Sequence, residues 1–307
     1  MNHVPRTAVP GDEPALHALW SECFGPTAAH LPALYSLDPG RHRRTFVAAR
    51  PDDGTPDAVV VVVPRLVRGA DGVPRRVGGL GSVAARPAAR GRGLIRALLG
   101  EAVRAMEAEG FAWSLLFTDT PRVYEGAGWR TFARMYAEGE PTRSAAPRSR
   151  YRVREAAPSE LPRLHAAARP LTAVRTPEDW RVRVPSWYGP SALWLVAEHG
   201  TTTSRTPVGY AVSHRTSGQA LSLAEFGSLP GTEDCLPALF AAHAAHACGE
   251  EAERIRVPLT PDAQPALPHL LQNPTWHTDR TGMVRDLHSP ATAPEARGAA
   301  YWFGDAF

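Results

Sequence analysis

The chain has 307 residues, 43% of them hydrophobic, which suits two domains or one large one with real cores. Its net charge of +3 arises from 34 arginines, with no lysine, against 31 acids, and the arginines are scattered, which argues against a nucleic-acid partner. Three cysteines, an N-terminus without a signal-like apolar core and a longest aliphatic run of only 59–63 exclude a disulfide scaffold and a membrane-spanning helix, so a soluble cytoplasmic protein is expected.

In chain order, 12–24 reads as a helix and 30–37 as a second. Three strands follow over 45–50, 58–67 and 75–85, separated by Gly/Asp/Pro turns. The third strand stops at Pro87 and leads into Arg90-Gly91-Arg92-Gly93, directly before an apolar run. Leu94, Ile95, Leu98, Leu99, Ala102, Val103 and Met106 recur with a 3.6 period, and Gly110 sits where a left-handed residue ends a helix. No Ser, Asp or Asn caps this helix. Its free N–H groups, beside arginines and without Cβ atoms in the way, suit an anion, although an Arg/Gly turn alone is a weak signal. A strand over 111–117, a short helix within 121–129 and a last strand over 130–137 complete a first domain, 1–137. The Pro/Ser/Arg-rich stretch 138–150 reads as a linker.

A second domain, 151–287, repeats the first. The segment AVPGDEPALHA (8–18) recurs as AAPSELPRLHA (156–166). Helices are expected over 159–168 and 176–184, strands over 191–198, 207–214 and 219–227, and a helix over 233–248. A strand over 253–259, a helix over 262–272 and a strand over 281–287 follow. The fold class expected is α/β, with two tandem domains, each a mixed, mostly antiparallel sheet flanked by helices. The second strand-to-helix junction places Glu233 and Asp234 where the first has arginines, which favours the helix dipole and disfavours a bound anion. One copy is built for phosphate, the other for structure.

The loop Arg90-Gly91-Arg92-Gly93-Leu94-Ile95 and the later Tyr124-Glu125-Gly126-Ala127-Gly128-Trp129 resemble the pyrophosphate loop and the Tyr-x-x-x-Gly-Phe/Trp element of the GNAT acetyltransferase superfamily. Ile95 departs from the usual small residue, and together with the tandem layout this looks more like the Eis-type (enhanced intracellular survival) aminoglycoside acetyltransferases. Those carry a third, sterol-carrier-like domain, which is not expected here.

The resemblance implies acetyl-CoA as cosubstrate. Residues Arg90, Gly91, Arg92, Gly93, Leu94, Ile95 and Arg96 would take its pyrophosphate. The strand edge at Val83, Ala84 and Ala85 would pair with its pantetheine arm, a backbone N–H would polarise the thioester carbonyl, and Asp119 and Thr120 would face the same cleft. Tyr124 would protonate the departing thiolate, a match made reasonable by the pKa values of phenols and thiols. Trp20, Glu22 and Phe24, on the first helix, would line the acceptor site, and the equal alternative is that Trp20 and Phe24 are core and Glu22 lies on a solvated face. The implied activity is N-acetylation of a small-molecule amine, an antibiotic or natural product among the candidates, by direct attack. A longer acyl-CoA, a peptide amine, or a non-catalytic CoA-sensing module are the alternatives, and homo-oligomerisation is left open.

His243, His246 and Cys248 have ligand-type chemistry, but no second cluster completes a set, so no metal is expected. The aromatic tail 288–307 ends in YWFGDAF, too apolar to leave exposed. In Eis-type enzymes a terminal phenylalanine carboxylate acts as base, so the tail is expected to return to the N-terminal cleft with Asp305 or the Phe307 carboxylate near the acceptor amine; a docked but purely structural tail and a dimer contact are the alternatives.

Overall fold

The computed structural model describes residues 3–69, 71–168, 172–201, 204–216, 218–290, 302 and 305–307. The elements begin with β1 (Val4–Thr7), α1 (Glu13–Phe24), α2 (Leu31–Ser36), β2 (Thr45–Ala49), β3 (Pro56–Arg68) and β4 (Pro74–Ala85). Next come α3 (Leu94–Ala108), β5 (Trp113–Phe117), α4 (Arg122–Glu125), β6 (Arg130–Thr131), β7 (Arg134–Pro141) and β8 (Arg152–Glu155). The chain continues through α5 (Pro162–Ala168), β9 (Ala173–Val174), α6 (Val184–Tyr188), β10 (Leu193–Gly200), β11 (Arg205–Arg215) and β12 (Ala220–Ser228). It closes with α7 (Leu236–Gly249), β13 (Arg254–Pro258), β14 (Leu271–Asp279) and β15 (Gly282–Asp286).

These elements form two units. The first runs to Phe132 and takes in β15 and residues 306–307, whereas the second takes in 133–279 with residues 302 and 305. The first unit's sheet has the order β1-β2-β3-β4-β5-β15-β6. Its pairs are antiparallel except β4 with β5. The aliphatic run in β3 is covered on both faces, as a continuous apolar strand requires. Ala58, Val60 and Val62 face a core with Leu98, Leu99, Ala102 and Met106 of α3. Val59 and Val61 face the other, with Leu16, Leu19 and Trp20 of α1.

The second unit's sheet has the order β14-β7-β13-β12-β11-β10-β8, again with one parallel pair, β12 with β13. One face packs on α7 through Leu236, Leu239, Phe240, Ala244 and Ala247. The other packs on Leu161, Leu164, Trp180, Val184 and Tyr188. The internal repeat is visible as chemistry. Val9 N–H donates to Asp12, which Arg6 holds, and Ala157 N–H donates to Glu160, which Arg154 holds.

Three expectations are corrected. The strand expected over 130–137 divides, because β6 stays in the first sheet while β7 belongs to the second and runs on to Pro141 through the expected linker. Gly139, inside the expected linker, is a strand glycine whose Cβ would lie 2.6 Å from the Gln272 carbonyl oxygen. The helix expected over 262–272 is a short 3-10 segment, Gln264–His269, containing Pro268, and the chain then enters β14. Finally, β15 completes the first sheet, between β5 and β6, not the second.

Candidate active site

The site in the first unit begins where β4 parts from β5. The two strands pair only at Val77, Gly78 and Gly79 with Trp113, Ser114 and Leu115. Beyond Gly79, β4 keeps β3 on one side and, among the described residues, has no strand on the other. Ser82 lies just past this point with φ +52°, and the β3–β4 register shifts there, which is a bulge. Val83, Ala84 and Ala85 therefore present a backbone edge to the opening between the strands.

Helix α1 holds the bulged stretch from behind. Trp20 Nε1–H donates to the Ser82 carbonyl at 3.0 Å, and the Cys23 thiol reaches the Ala85 carbonyl at 3.4 Å. Glu22 pairs with Arg86, which also lies 3.5 Å from Asp57. Trp20 is only 1% exposed, so its expected place as an acceptor wall is corrected: it is a core residue that carries β4. Phe24, at the end of α1, is 36% exposed.

The loop after β4 arrives at α3 through two glycines in left-handed conformation, Gly91 at φ +75° and Gly93 at φ +74°. Gly93 is the N-cap and no side chain caps the helix. Arg90 is tied back to the Ala85 carbonyl at 3.2 Å, while Arg92 and Arg96 are exposed. Leu94 and Ile95 pack on the core and fix the first turn. The resulting N-terminus offers oriented N–H groups and a positive dipole end, which together suit an anion.

Tyr124, on α4, is buried, with its ring edge-on to Trp129 at 6.4 Å. Trp129 Nε1–H in turn donates to Ser114 on β5 at 3.3 Å, so the indole fixes the tyrosine relative to the sheet. Burial pushes the Tyr124 phenol up to about 12, with a hydrogen bond from Thr118 opposing it. The group is thus a neutral donor over the whole physiological range. Asp119 and Thr120 are exposed just after β5, where Thr118 and Thr120 hydroxyls lie 3.1 Å apart.

Phe307 is seated in this unit. Its ring stacks on Phe117 of β5 at 6.3 Å, and its carboxyl end lies against Gly81: a Cβ built there would fall 2.6 Å from the Phe307 carboxyl carbon. A side chain at Gly79 would overlap the ring. The alternate glycines of Gly79-Leu80-Gly81 clear one strand face for the chain terminus, a signal present in the sequence but hidden among turn-like glycines. Asp305 is corrected. It is buried and bonded to Arg175 at 2.7 Å in the second unit, so it is an ion-pair anchor rather than a base for the acceptor.

The second unit's junction carries acids whose partners lie within the unit. Gly231 N–H donates to Glu233 at 3.0 Å, and Asp234 takes Tyr151 and Arg150. His243 is buried against Ser213 at 2.9 Å, and burial lowers its pKa to about 3. Among the described residues no group of three or more His, Cys, Asp or Glu is arranged to hold a metal ion, and no helix is long and apolar enough to cross a membrane.

Residues 5–132 match the family model described as an acetyltransferase (GNAT) domain. No curated protein matches the chain. Among solved structures, a conserved Enterococcus faecalis protein described as a probable N-acyltransferase is 15% identical with a TM-score of 0.71, covering 94% of this chain and 73% of that one. A GCN5-related N-acetyltransferase from Kribbella flavida is 18% identical with a TM-score of 0.68, covering 94% and 72%. Eis1 from Mycobacterium abscessus is 16% identical with a TM-score of 0.67, covering 93% and 74%. The chain therefore has the fold of the GNAT acetyltransferase superfamily, as two tandem GNAT-like domains.

Proposed function

We propose that the protein is an acetyl-CoA-dependent N-acetyltransferase whose first unit transfers an acetyl group to the amine of a small molecule. The observation that carries this reading is the conjunction of an uncapped α3 N-terminus behind two left-handed glycines with the β4–β5 opening and the bulge at Ser82. The N–H groups of residues 91–96, with Arg92 and Arg96 nearby, hold the pyrophosphate. The edge of Val83, Ala84 and Ala85 pairs with the pantetheine arm, and Asp119 and Thr120 border the same cleft. Arg90 holds the loop to β4.

In the reaction the amine nitrogen attacks the thioester carbonyl carbon, and a β4 backbone N–H stabilises the oxyanion. The carbon–sulfur bond breaks, and the thiolate takes its proton from Tyr124. The Phe307 carboxylate accepts the proton that the amine gives up, directly or through water. The carboxyl group of Phe307 against the glycine face of β4 is the feature that supports this role. Glu22 and Phe24 of α1 would line the acceptor site.

The test is an amine panel with acetyl-CoA, read by release of free thiol and by product mass. A mass gain of one acetyl group on a small amine supports the reading. Binding of acetyl-CoA without thiol release on any amine favours a CoA-sensing module, and a product only with longer acyl-CoA changes the donor.

A further inference from the structure

Strand β15 brings one arginine to the turn that follows Tyr124. Met283 of β15 lies in the same core as Tyr124 and Trp129, and Arg285, two residues on, stands on the same sheet face. Across β5 it pairs in register with Ser114. Its guanidinium runs over the Trp129 indole, with Cζ 5.4 Å from the ring centroid, and its Nη1 donates to the Ala127 carbonyl. The next residue, Asp286, pairs with Arg130 at 3.6 Å. Arg285 goes instead to a carbonyl and an indole.

The turn leaves room for it. Gly128 has φ +88°, and a Cβ built there would overlap Nη1 and lie 3.2 Å from Cζ. The glycine supplies both the backbone conformation and the bare surface that the guanidinium crosses. From the indole the contacts continue in two directions. Trp129 Nε1–H donates to Ser114 Oγ at 3.3 Å, and the Ser114 hydroxyl donates to the Gly78 carbonyl at 2.7 Å, where β4 still pairs with β5. The other direction is Tyr124, whose ring meets the indole edge-on at 6.4 Å. The N–H groups of Ala127 and Trp129 both donate to the Tyr124 carbonyl and close the turn. Helix α4 has only four residues, too few to hold a tyrosine by its own backbone bonds, so the placement of the phenol depends on what holds the turn and the indole.

We propose that Arg285 is a positioning residue for Tyr124: by holding the Trp129 indole and the 127–129 turn, it keeps the phenol in one place relative to β4 and β5. The catalytic consequence rests on the reading of Tyr124 as the acid, whereas the placement of the ring rests on the contacts above. Arg285 acts through Trp129, not on the substrate. A loosened turn leaves acetyl-CoA binding nearly as it was and costs the delivery of the proton to the thiolate, because proton transfer needs donor and acceptor within hydrogen-bond reach.

The test uses the full-length protein with fluorotyrosine in place of tyrosine, read by fluorine NMR, the Tyr124 line being assigned by its loss in Tyr124→Phe. Arg285→Met keeps the apolar stem and removes the donors and the charge. It should move or broaden the Tyr124 line, leave the other tyrosine lines in place, and lower kcat by about tenfold with KM for acetyl-CoA within about twofold of the parent. Arg285→Lys, which keeps a cation at the indole, should recover part of both losses. In the Tyr124→Phe background Arg285→Met should cost nothing further in kcat. An unchanged Tyr124 line in Arg285→Met overturns the positioning, and so does movement of all tyrosine lines together in both variants, since the arginine then holds the whole fold. A kcat loss as large without the phenol overturns its route through Tyr124. Parental turnover in Tyr124→Phe alone would sink the acid reading, and the Tyr124 line would still decide whether Arg285 places the ring.

Discussion

The two strand-to-helix junctions of this chain start from one architecture and end with opposite chemistry. Between β4 and α3, two left-handed glycines and exposed arginines leave a helix N-terminus uncapped. Between β12 and α7, Glu233 accepts from Gly231 N–H and Asp234 is taken by Tyr151 and Arg150. Neither helix start has a side-chain cap, so what separates the two is charge and conformation: acids with partners inside the unit stand at the second, left-handed glycines and exposed arginines at the first. That contrast is what the proposed function rests on.

The largest effect that would sharpen this contrast comes from charge. Gly93→Asp places a side chain at φ +74° and a carboxylate where the pyrophosphate sits, and should abolish acetyl-CoA binding with the fold retained. Gly231→Asp, at φ +80° in the other junction, should leave affinity at the parental value, and both are read by calorimetric titration. Next in size, Tyr124→Phe should lower kcat by about 10²–10⁴-fold with little change in acetyl-CoA affinity. Because the phenol is pushed up to about 12, the pH–rate profile should show no limb from Tyr124 below about pH 10. Parental turnover in the phenylalanine variant would remove Tyr124 from the mechanism. Removing Phe307, or adding two residues after it, should each cost about 10²-fold in kcat if its carboxylate is the base.

A smaller effect belongs to the support of β4. Trp20→Phe keeps the ring and loses the bond to the Ser82 carbonyl, which should weaken acetyl-CoA affinity by about fivefold. Ser82→Gly, which relieves the positive φ, should restore part of that loss, and no recovery would detach the bulge from cofactor binding. The smallest is confined to the second unit. His243 is held neutral, with its pKa lowered to about 3 from 6.5. The unfolded chain binds a proton there first, so this contribution to stability is present above about pH 6.5 and is lost progressively towards pH 3. His243→Gln should flatten that part of a denaturant-midpoint series against pH.

Much of this was legible in the sequence because local signals agreed. Periodicity placed α3, and apolar runs bounded by Gly/Asp/Pro turns placed β2, β3 and β4. The loop and Tyr124 stood out because their residue types repeat a known pattern. Long-range exchanges were not legible. Strand β7 looked like a linker because Gly139 and Pro141 carry turn signals, and only the packing against Gln272 shows why a glycine is needed there. The partner sheet of β15 is a tertiary choice that its own five residues do not encode. Trp20 and Asp305 are ambiguous in the sequence for one reason: an aromatic or a carboxylate reads alike whether it faces a substrate or a buried partner.

The central claim is that one copy of the repeat takes the acyl donor and the other has given up its site. It is tested most directly by the stoichiometry of acetyl-CoA binding to the full-length protein in a calorimetric titration. The account predicts one acetyl-CoA per chain, lost in Gly93→Asp and kept in Gly231→Asp. Two per chain, or one that disappears with Gly231→Asp, would contradict it.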